Sequence, residues 1–532
     1  AATTGFKVDG SIIINSGGAR EETGVVASIQ AGVSLTLAAN LTNTHTAVQA
    51  DAVAQRVFLN ADVAVLGPVE MLLPETGSFV RYVVSKKTIY SDESGSWRQM
   101  NDSAGAAYVH AAQSVTKSSM TLADGGGFFG LDGANKIQRH MGGADLEVQM
   151  DNGNAYVDAG GTAQTITGTW GTAYSNLETL HGRLLFNNGN STVEYTDVNQ
   201  PWDLAGGGNF PCSGKVLAIK NHVPQFGDSL AAIIYLGTGV GWEFTTDLVS
   251  ANTIQGSPPP MNLNLVVSSK NWIIYMSADG GLYGITGNRV INLGRRFKAQ
   301  DASSGPLDTI HLGNTLSIGN AAYNIKKEQA IFLISDSASG DPNLTLVLDF
   351  HQGEPFLNEP LLSFESHVRC LSWSGQDYVG MGITRDGFIG IRSGGTMWTM
   401  ETGASDYGAT AIDTEWFSPM MDGGAPINPK NVLTWFGRAL RSGNWSLQID
   451  FLLDRDTVSA KSVSFDMGIG ASVYGTDVYG TGTYSGGGLV KHAEDIDLIA
   501  EVFQIKISHG MAGENFNITN FNQRYNILAE ER

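Results

Sequence analysis

The stretch NWIIYMSADGGLYGITGNRVINLG, residues 271–294, decides the fold class of this chain. In it an apolar run is followed by Asp279-Gly280, then by a second apolar run that contains an aromatic residue, and then by a polar link. An Asp-Gly pair favours a tight hairpin turn because glycine tolerates the positive φ that such a turn needs. The stretch therefore predicts a β-hairpin.

Similar units recur between residues 55 and 410, and two of them contain the pairs Asp132-Gly133 and Asp386-Gly387. The copies read MTLADGGGFFGLDGANKIQRHM (120–141), RLLFNNGNSTVEYTDVNQPWDL (183–204), AAIIYLGTGVGWEFTTDLVS (231–250) and DYVGMGITRDGFIGIRSGGTMWTM (377–400). Trp202 and Trp242 are 40 residues apart, and Trp242 and Tyr283 are 41 apart. A period of about 40 residues with four short strands per unit favours β-propeller blades, although an array of β-sandwiches would give nearly the same pattern.

After residue 410 the pattern changes to longer alternating strands, as in NVLTWFGRAL (431–440), WSLQIDFLLDRD (445–456) and EVFQIKISHG (501–510). The fold class that follows is all-β, with an irregular β-propeller body and a C-terminal β-sandwich-like segment. The predicted domains are a β-rich, irregular N-terminal segment (1–54), a propeller-like repeat domain (55–410) and a C-terminal β domain (411–532). Within the first of these, Val25–Ala39 predicts a strand pair and residues 46–57 predict a short helix.

Composition excludes several classes of protein. The formal net charge of −20 argues against an electrostatic grip on nucleic acid along the whole chain. The two cysteines, Cys212 and Cys370, lie far apart, so they indicate neither a disulfide framework nor a zinc site. The residues AATTGFKVDG at positions 1–10 lack the pattern of a secretory signal, and no run of 18 apolar residues predicts a membrane helix.

No motif with the spacing of a catalytic or metal site is present in the sequence. The glycines at 237–241 lack the Lys-Ser/Thr of a P-loop, and there is no Gly-x-Ser-x-Gly, although a triad assembled from distant residues stays open. The acids Glu494, Asp495 and Asp497, and the pair Asp454 and Asp456, lack calcium-loop spacing, and we interpret them as solvated or self-paired groups rather than cation ligands. We therefore expect no catalytic residue, no cofactor and no metal.

Two features indicate contacts between subunits. The segment 468–490 is rich in glycine and contains Tyr474, Tyr479 and Tyr484, and tyrosine is favoured in interfaces, although a mobile solvent loop is an equal alternative. Arg295 and Arg296 form the densest basic spot, which we interpret as an inter-subunit or inter-blade contact rather than a DNA clamp.

Two parts of the chain resemble the tail nozzle (tail-hub, or packaged-DNA-stabilisation) proteins of short-tailed bacteriophages. The first is the blade pattern over 160–400, above all residues 183–204. The second is the C-terminal part, with IDTEWFSP (412–419), the Tyr/Gly stretch 474–488, and FQIKISHGMAGENFNITNFNQRYNIL (503–528).

The resemblance implies a structural, non-enzymatic ring of six copies in the virion tail, assembled in the bacterial host cytoplasm. It implies a portal-adaptor ring above, tail fibres or a needle or tip protein as partners, and genomic DNA passing non-specifically through the exit channel. It implies no insertion of this chain into a membrane. An acidic wall fits such a conduit because it does not bind phosphate.

Two other functions stay open on the sequence. One is a carbohydrate-binding or carbohydrate-cleaving β-propeller or tail adhesin, in which exposed tryptophans stack on sugars. Against it, we interpret Trp97, Trp202, Trp242, Trp272 and Trp398 as packing at blade edges. The other is a tail-fibre scaffold without a channel, which would be a trimeric rod.

Overall fold

The structure is a computed structural model in which the regular elements of the described residues are strands, apart from a 3-10 turn at Leu263–Leu265. Residue contacts divide the chain into two compact units, 1–400 and 401–532. In the part of the chain that the structure describes, no helix has the length and apolarity needed to cross a bilayer. The described residues are 11–14, 22–30, 34–40, 53–55, 62–73, 77–92, 97–111, 114–124, 126–131, 135–142, 148–222, 231–236, 241–254, 257–286, 289–293, 319–335, 342–350, 368–374, 378–385, 387–392, 395–400, 414–418, 420–425, 428–440, 446–454, 456, 458–467, 489–510 and 517–528.

The first described residues form a small four-stranded sheet with the order β3-β2-β1-β4. Its strands are β1 (Ser11–Ile14), β2 (Glu22–Gln30), β3 (Ser34–Leu37) and β4 (Val53–Gln55). The antiparallel pairing of β2 with β3 confirms the predicted strand pair. The predicted helix over 46–57 is wrong at β4, which pairs with β1 instead. Pairing with a neighbouring strand overrides a weak local helix preference.

The described residues in the rest of the first unit form seven antiparallel sheets that succeed one another along the chain as propeller blades I–VII, with a two-stranded hairpin between blades II and III. Blade I consists of β5 (Ala64–Leu73), β6 (Ser78–Ser85), β7 (Ile89–Asp92) and β8 (Arg98–Gln99), and blade II of β9 (Ser118–Ala123), β10 (Gly126–Leu131), β11 (Gln138–His140) and β12 (Val148–Gln149). The hairpin consists of β13 (Ala155–Val157) and β14 (Ala163–Thr165). Blade III consists of β15 (Asn176–Leu180), β16 (Arg183–Asn187), β17 (Thr192–Tyr195) and β18 (Gly208–Pro211).

Blades IV to VI each have four described strands, and blade VII has three. Blade IV consists of β19 (Val216–His222), β20 (Ala231–Leu236), β21 (Gly241–Thr245) and β22 (Asn252–Ile254), and blade V of β23 (Val266–Ser268), β24 (Ile273–Met276), β25 (Leu282–Thr286) and β26 (Arg289–Asn292). Blade VI consists of β27 (Asn320–Asn324), β28 (Gln329–Ile334), β29 (Leu344–Asp349) and β30 (Arg369–Ser374). Blade VII consists of β31 (Tyr378–Thr384), β32 (Gly387–Arg392) and β33 (Met397–Thr399).

The seven blades form a closed ring. The first strand of each blade contacts the first strand of the next, and β31 of blade VII contacts β5 of blade I. The first strands therefore lie at the centre, which confirms the predicted propeller. Apolar clusters lie between neighbouring blades, for example the cluster that joins Trp272 and Ile274 of blade V to Phe332 and Leu346 of blade VI.

Backbones approach closely where the ring closes. A Cβ atom at Gly382 of β31 would lie 1.7 Å from the carbonyl oxygen of Pro68, and one at Gly380 would lie 2.6 Å from the Cβ of Ala64. Only glycine leaves room for the two strands to meet at this distance. On the outer side of this seam, β4 lies beside β33, so residues from before blade I also reach blade VII.

The seam also contains an ion pair. Arg385, in the turn after β31, donates its backbone N–H and its Nε to the carboxylate of Glu70 on β5, at 2.7 and 3.2 Å. Its guanidinium carbon lies 3.7 Å from the centre of the Phe79 ring. The Glu70 side chain is 8% exposed, whereas the Arg385 side chain is 57% exposed, so water reaches the pair from the arginine side.

The Asp279-Gly280 turn was predicted correctly, whereas the blade period was not. Gly280 has a φ of +75° and joins β24 to β25. Trp242 and Tyr283 are equivalent residues of the third strands β21 and β25, but Trp202 follows β17 and belongs to no third strand. First strands start at residues 64, 118, 176, 216, 266, 320 and 378, so their spacing varies from 40 to 58 residues. Lengthening a loop costs little free energy, which lets blades differ in length.

The second unit is a β-sandwich, as predicted. Its strands are β34 (Thr414–Phe417), β35 (Lys430–Leu440), β36 (Ser446–Leu453), β37 (Lys461–Asp466), β38 (Leu489–Ala500), β39 (Phe503–His509) and β40 (Asn517–Ile527). One sheet has the order β34-β39-β36-β37 and the other β38-β35-β40. Trp435 of β35 is fully buried between them, with Phe465 and Phe521 at ring distances of 5.7 and 5.8 Å.

Candidate functional site

The five predicted assembly contacts, Tyr474, Tyr479, Tyr484, Arg295 and Arg296, all lie outside the described residues. Their flanking strands are described. The tyrosines belong to the segment that links β37 to β38, which are edge strands of the two different sheets of the sandwich. The arginines follow β26, the fourth and outermost strand of blade V. Their role as contacts stays a prediction.

The acidic clusters of the second unit have structural partners. Asp454 Oδ1 accepts the backbone N–H groups of Glu501 and Val502 at 2.7 and 3.1 Å, and so joins two turns. On β38, Asp495 accepts from the hydroxyl of Thr434 at 3.3 Å, whereas Glu494 lies on the opposite face of the strand. Among the described residues no group of three potential ligands could hold a metal ion.

A buried cluster in blade I contains Asp62, Ser85 and His110, and the sequence analysis missed it. The Ser85 hydroxyl donates to Asp62 Oδ2 at 2.5 Å, and His110 Nε2 lies 3.2 Å from the backbone oxygen of Ser85. A nucleophilic serine needs its hydroxyl, not its carbonyl, against the imidazole. The residue types match a catalytic triad, but their geometry does not.

The same cluster has a structural role. The Ser85 hydroxyl accepts the N–H of Thr88 at 2.9 Å, which closes the turn between β6 and β7. Burial lowers the pKa of His110 to about 4 and raises the pKa of Asp62. A histidine with such a pKa is neutral at pH 7, as a buried hydrogen-bonding group should be. The spacing of these residues in the sequence does not indicate the cluster, because its members come from separate turns.

A second polar cluster joins the first strands of blades II, III and IV. The hydroxyls of Thr121 and Thr179 lie 2.5 Å apart, and the amide of Asn221 donates to the backbone oxygen of Thr179. Glu178 accepts the N–H of Thr179 at 3.0 Å. Glu178 as a whole is only partly buried, but protein surrounds its carboxylate, and this burial raises its pKa against the opposing effect of the Lys220 ammonium.

A carboxyl group with a raised pKa beside an ammonium is a frequent feature of catalytic sites. Here, however, the carboxylate binds groups of its own strand and the adjacent one, within a network that continues to blade V through a 2.9 Å bond from Ser268 to the backbone of Asn221. We therefore interpret the cluster as a connection between blades.

The centre of the propeller contains the 3-10 turn Leu263–Leu265. This turn contacts β9, β19 and β27, which belong to blades II, IV and VI. The amide of Asn264 donates to the backbone oxygen of Val65, in blade I, at 3.1 Å. A segment that contacts first strands on different sides of the ring lies near its axis, so the chain itself fills this part of the centre.

The tryptophans considered for sugar stacking are mostly core residues. Trp97, Trp242 and Trp272 are 4% exposed or less, which confirms the packing interpretation for these three. Trp202 packs against Tyr156 with a ring distance of 5.0 Å. Buried rings cannot stack on a sugar, so Trp97, Trp242 and Trp272 do not form an aromatic binding platform.

The two edge strands of the sheet β38-β35-β40 differ in character. Edge strand β38 carries Lys491, Glu494, Asp495 and Asp497, and charges on an edge discourage pairing with another chain. Edge strand β40 is 11 residues long with Arg524 as its single charged residue, and among the described residues it pairs only with β35. Strand β40 is therefore the less protected edge.

No family model matches the sequence, and no curated protein matches it either. Among solved structures, the chain is similar to virginiamycin B lyase from Staphylococcus aureus, at 10% identity and a TM-score of 0.39, over 64% of this chain and 96% of that one. It is also similar to a streptogramin B lyase, at 12% identity and a TM-score of 0.38, over 64% and 94%. A third structure, of BBS1N in complex with ARL6DN, has 8% identity and a TM-score of 0.37, over 63% and 92%. Likenesses of this size transfer no activity to this chain.

Proposed function

We propose that this protein is a non-enzymatic structural component of a bacteriophage tail. Six copies form a nozzle or hub ring that lines the DNA exit channel and retains packaged DNA until ejection. Its partners are the portal-adaptor ring above it and tail fibres or a needle or tip protein. The ring is assembled in the host cytoplasm and becomes part of the virion.

The observation that best supports this proposal is the filled centre of the propeller. The turn at Leu263–Leu265 lies near the axis, and the polar groups around Glu178 bind one another. A polymer therefore has no free passage along the axis of one chain at this level, and a channel for DNA has to lie between copies. Strand β40, which pairs only with β35 among the described residues, has a second edge whose backbone groups further chains can pair with.

The charge of the chain supports the same proposal. At −20 per chain, a ring of six copies carries a large negative charge before counterions are counted. A wall of this sign binds few phosphates, whereas a basic wall would hold DNA by releasing its counterions. DNA then moves past the wall without being bound tightly.

Native mass spectrometry and negative-stain images of the purified protein test the proposal. A hexamer with a central hole supports it. A monomer that binds or cleaves a polysaccharide would replace the proposal with the carbohydrate alternative, and a trimeric rod would replace it with a fibre scaffold.

A further inference from the structure

The outer face of the sheet β38-β35-β40 displays an exposed aromatic ring among cations. Phe436 of β35 is 42% exposed, while its neighbour Trp435 is fully buried on the opposite face. Phe436 lies directly opposite Ala493 on one side and Asn522 on the other. An aromatic ring left on a solvated sheet face is available for stacking.

Three cations lie around this ring. Arg438, two residues along β35 on the same face, is directly opposite Lys491. Arg524 is paired with Thr434, which places it diagonally next to Phe436 on the other flank. Like charges directly opposite each other destabilise a sheet. The other two diagonal positions hold Asp495, the one acid among these neighbours, and the neutral Asn520. The three cations and Asp495 together carry a local excess of positive charge in a chain of net charge −20.

Strand β40 adds a row of amides to the same face. Asn520, Asn522 and Asn526 alternate along the strand with Arg524 in the same row, and all four side chains are exposed. Asparagine is depleted in strands because it packs poorly on a pleated surface. The three exposed asparagines do not contribute to the hydrophobic core, which lies on the other face of the sheet.

A shallow depression of about 350 Å³ opens at this place. Its lining includes Phe436, Arg438, Lys491, His492 and Asn522, and none of the lining residues is acidic. The depression thus combines a stacking surface, positive charge and amide groups. We call the surface made by Phe436, Arg438, Lys491 and Arg524, with the asparagine row, the Phe436 face.

We propose that the Phe436 face binds single-stranded nucleic acid. The cations contact the phosphodiesters, a base stacks on Phe436, and the asparagine amides bond to base edges. A neutral sugar would also use the ring and the amides, but it would gain nothing from three cations. A duplex would use the cations, but its stacked bases would not reach the ring. The combination of cations, an exposed ring and amides therefore favours single-stranded nucleic acid over a sugar or a duplex.

Fluorescence anisotropy of the full-length protein with a labelled 20-nucleotide oligothymidylate, at 50 and 200 mM salt, tests this inference. The doubly substituted Arg438→Gln/Lys491→Gln protein should bind at least 10-fold more weakly at 50 mM salt. The slope of log K against log salt should fall by roughly 1.4, since each single-strand phosphate contact contributes about 0.7. Phe436→Ala should weaken binding about 5- to 150-fold while leaving the slope unchanged.

The control is Lys506→Gln on β39, in the other sheet of the sandwich, which removes a cation outside the Phe436 face and should bind as the wild type does. Circular dichroism of each variant checks that the fold is intact. Three results would overturn the inference: no binding by the wild type at 50 mM salt, equal weakening by the control, or full binding by Phe436→Ala. Tighter binding of a duplex of the same length, or of a neutral oligosaccharide, would overturn it as well. The readout does not depend on ring formation, so this inference and the proposed ring can fail separately.

Discussion

Substituting Gly382 by alanine should destabilise the propeller at the seam where its ring closes. The new Cβ would lie 1.7 Å from the carbonyl oxygen of Pro68, whereas ordinary contacts begin at 3.4 Å. The backbone of β5 or β31 therefore has to move by roughly 1.7 Å. The new Cβ is held in place by the backbone of β31, and the oxygen that it meets belongs to the backbone of β5, so no side-chain rotation can relieve the contact. Overpacking of this kind costs about 3 kcal/mol, the upper part of the usual range.

Thermal unfolding followed by near-ultraviolet circular dichroism measures this effect. An unfolding entropy of about 2.1 cal/mol/K per residue, applied to the 400-residue first unit, converts about 3 kcal/mol into a Tm lower by about 3 to 4 °C. All proteins are heated at one scan rate, because a chain of this size can unfold irreversibly.

The matched control is Gly127→Ala on β10. There the new Cβ would meet the flexible end of Met120 at 3.2 Å, so a small movement of that side chain relieves the contact. Alanine also reduces the entropy of the unfolded chain, so this variant should melt at or above the wild-type temperature. Equal melting temperatures for the Gly382→Ala and Gly127→Ala proteins would refute the close contact at the seam.

Four further outcomes are expected. Glu70→Ala removes the acceptor of Arg385 and should cost about 1 kcal/mol, seen as a lower urea midpoint with an unchanged slope, whereas an unchanged midpoint would contradict the seam contact. Ser85→Ala leaves the buried carboxylate beside it without its hydroxyl donor and should cost a similar amount, while any loss of a hydrolytic activity would contradict the structural role given to this serine. Burial lowers the pKa of His222 to about 4, so the unfolded state binds its proton more readily and stability falls as pH drops from about 6.5 to 4. The difference in unfolding free energy between pH 7 and pH 5 should therefore be smaller in His222→Leu by up to about 2 kcal/mol. Deleting residues 474–486 should prevent ring assembly in native mass spectrometry while leaving the blades folded, and normal assembly would favour a mobile solvent loop.

The sequence alone determined the fold class, because hairpin turns and alternating strands are local features. The turn at Asp279-Gly280 needs only glycine at a positive φ, and residues 271–294 contain that information themselves. The long strands after residue 410 were recognisable for the same reason, since alternation along a strand mirrors one buried and one exposed face.

The tertiary structure decided what depends on partners distant in sequence. Val53–Gln55 is a strand because β1 pairs with it, and Trp202 is no blade marker because loops of unequal length separate the blades. The resemblance of Asp62, Ser85 and His110 to a triad was rejected by which oxygen of Ser85 faces the imidazole. Phe436 and its cations form one face only because β38 and β40 pair with β35 in a particular register. Register, ring closure and the filled centre arise from packing across the whole chain, which no local stretch specifies.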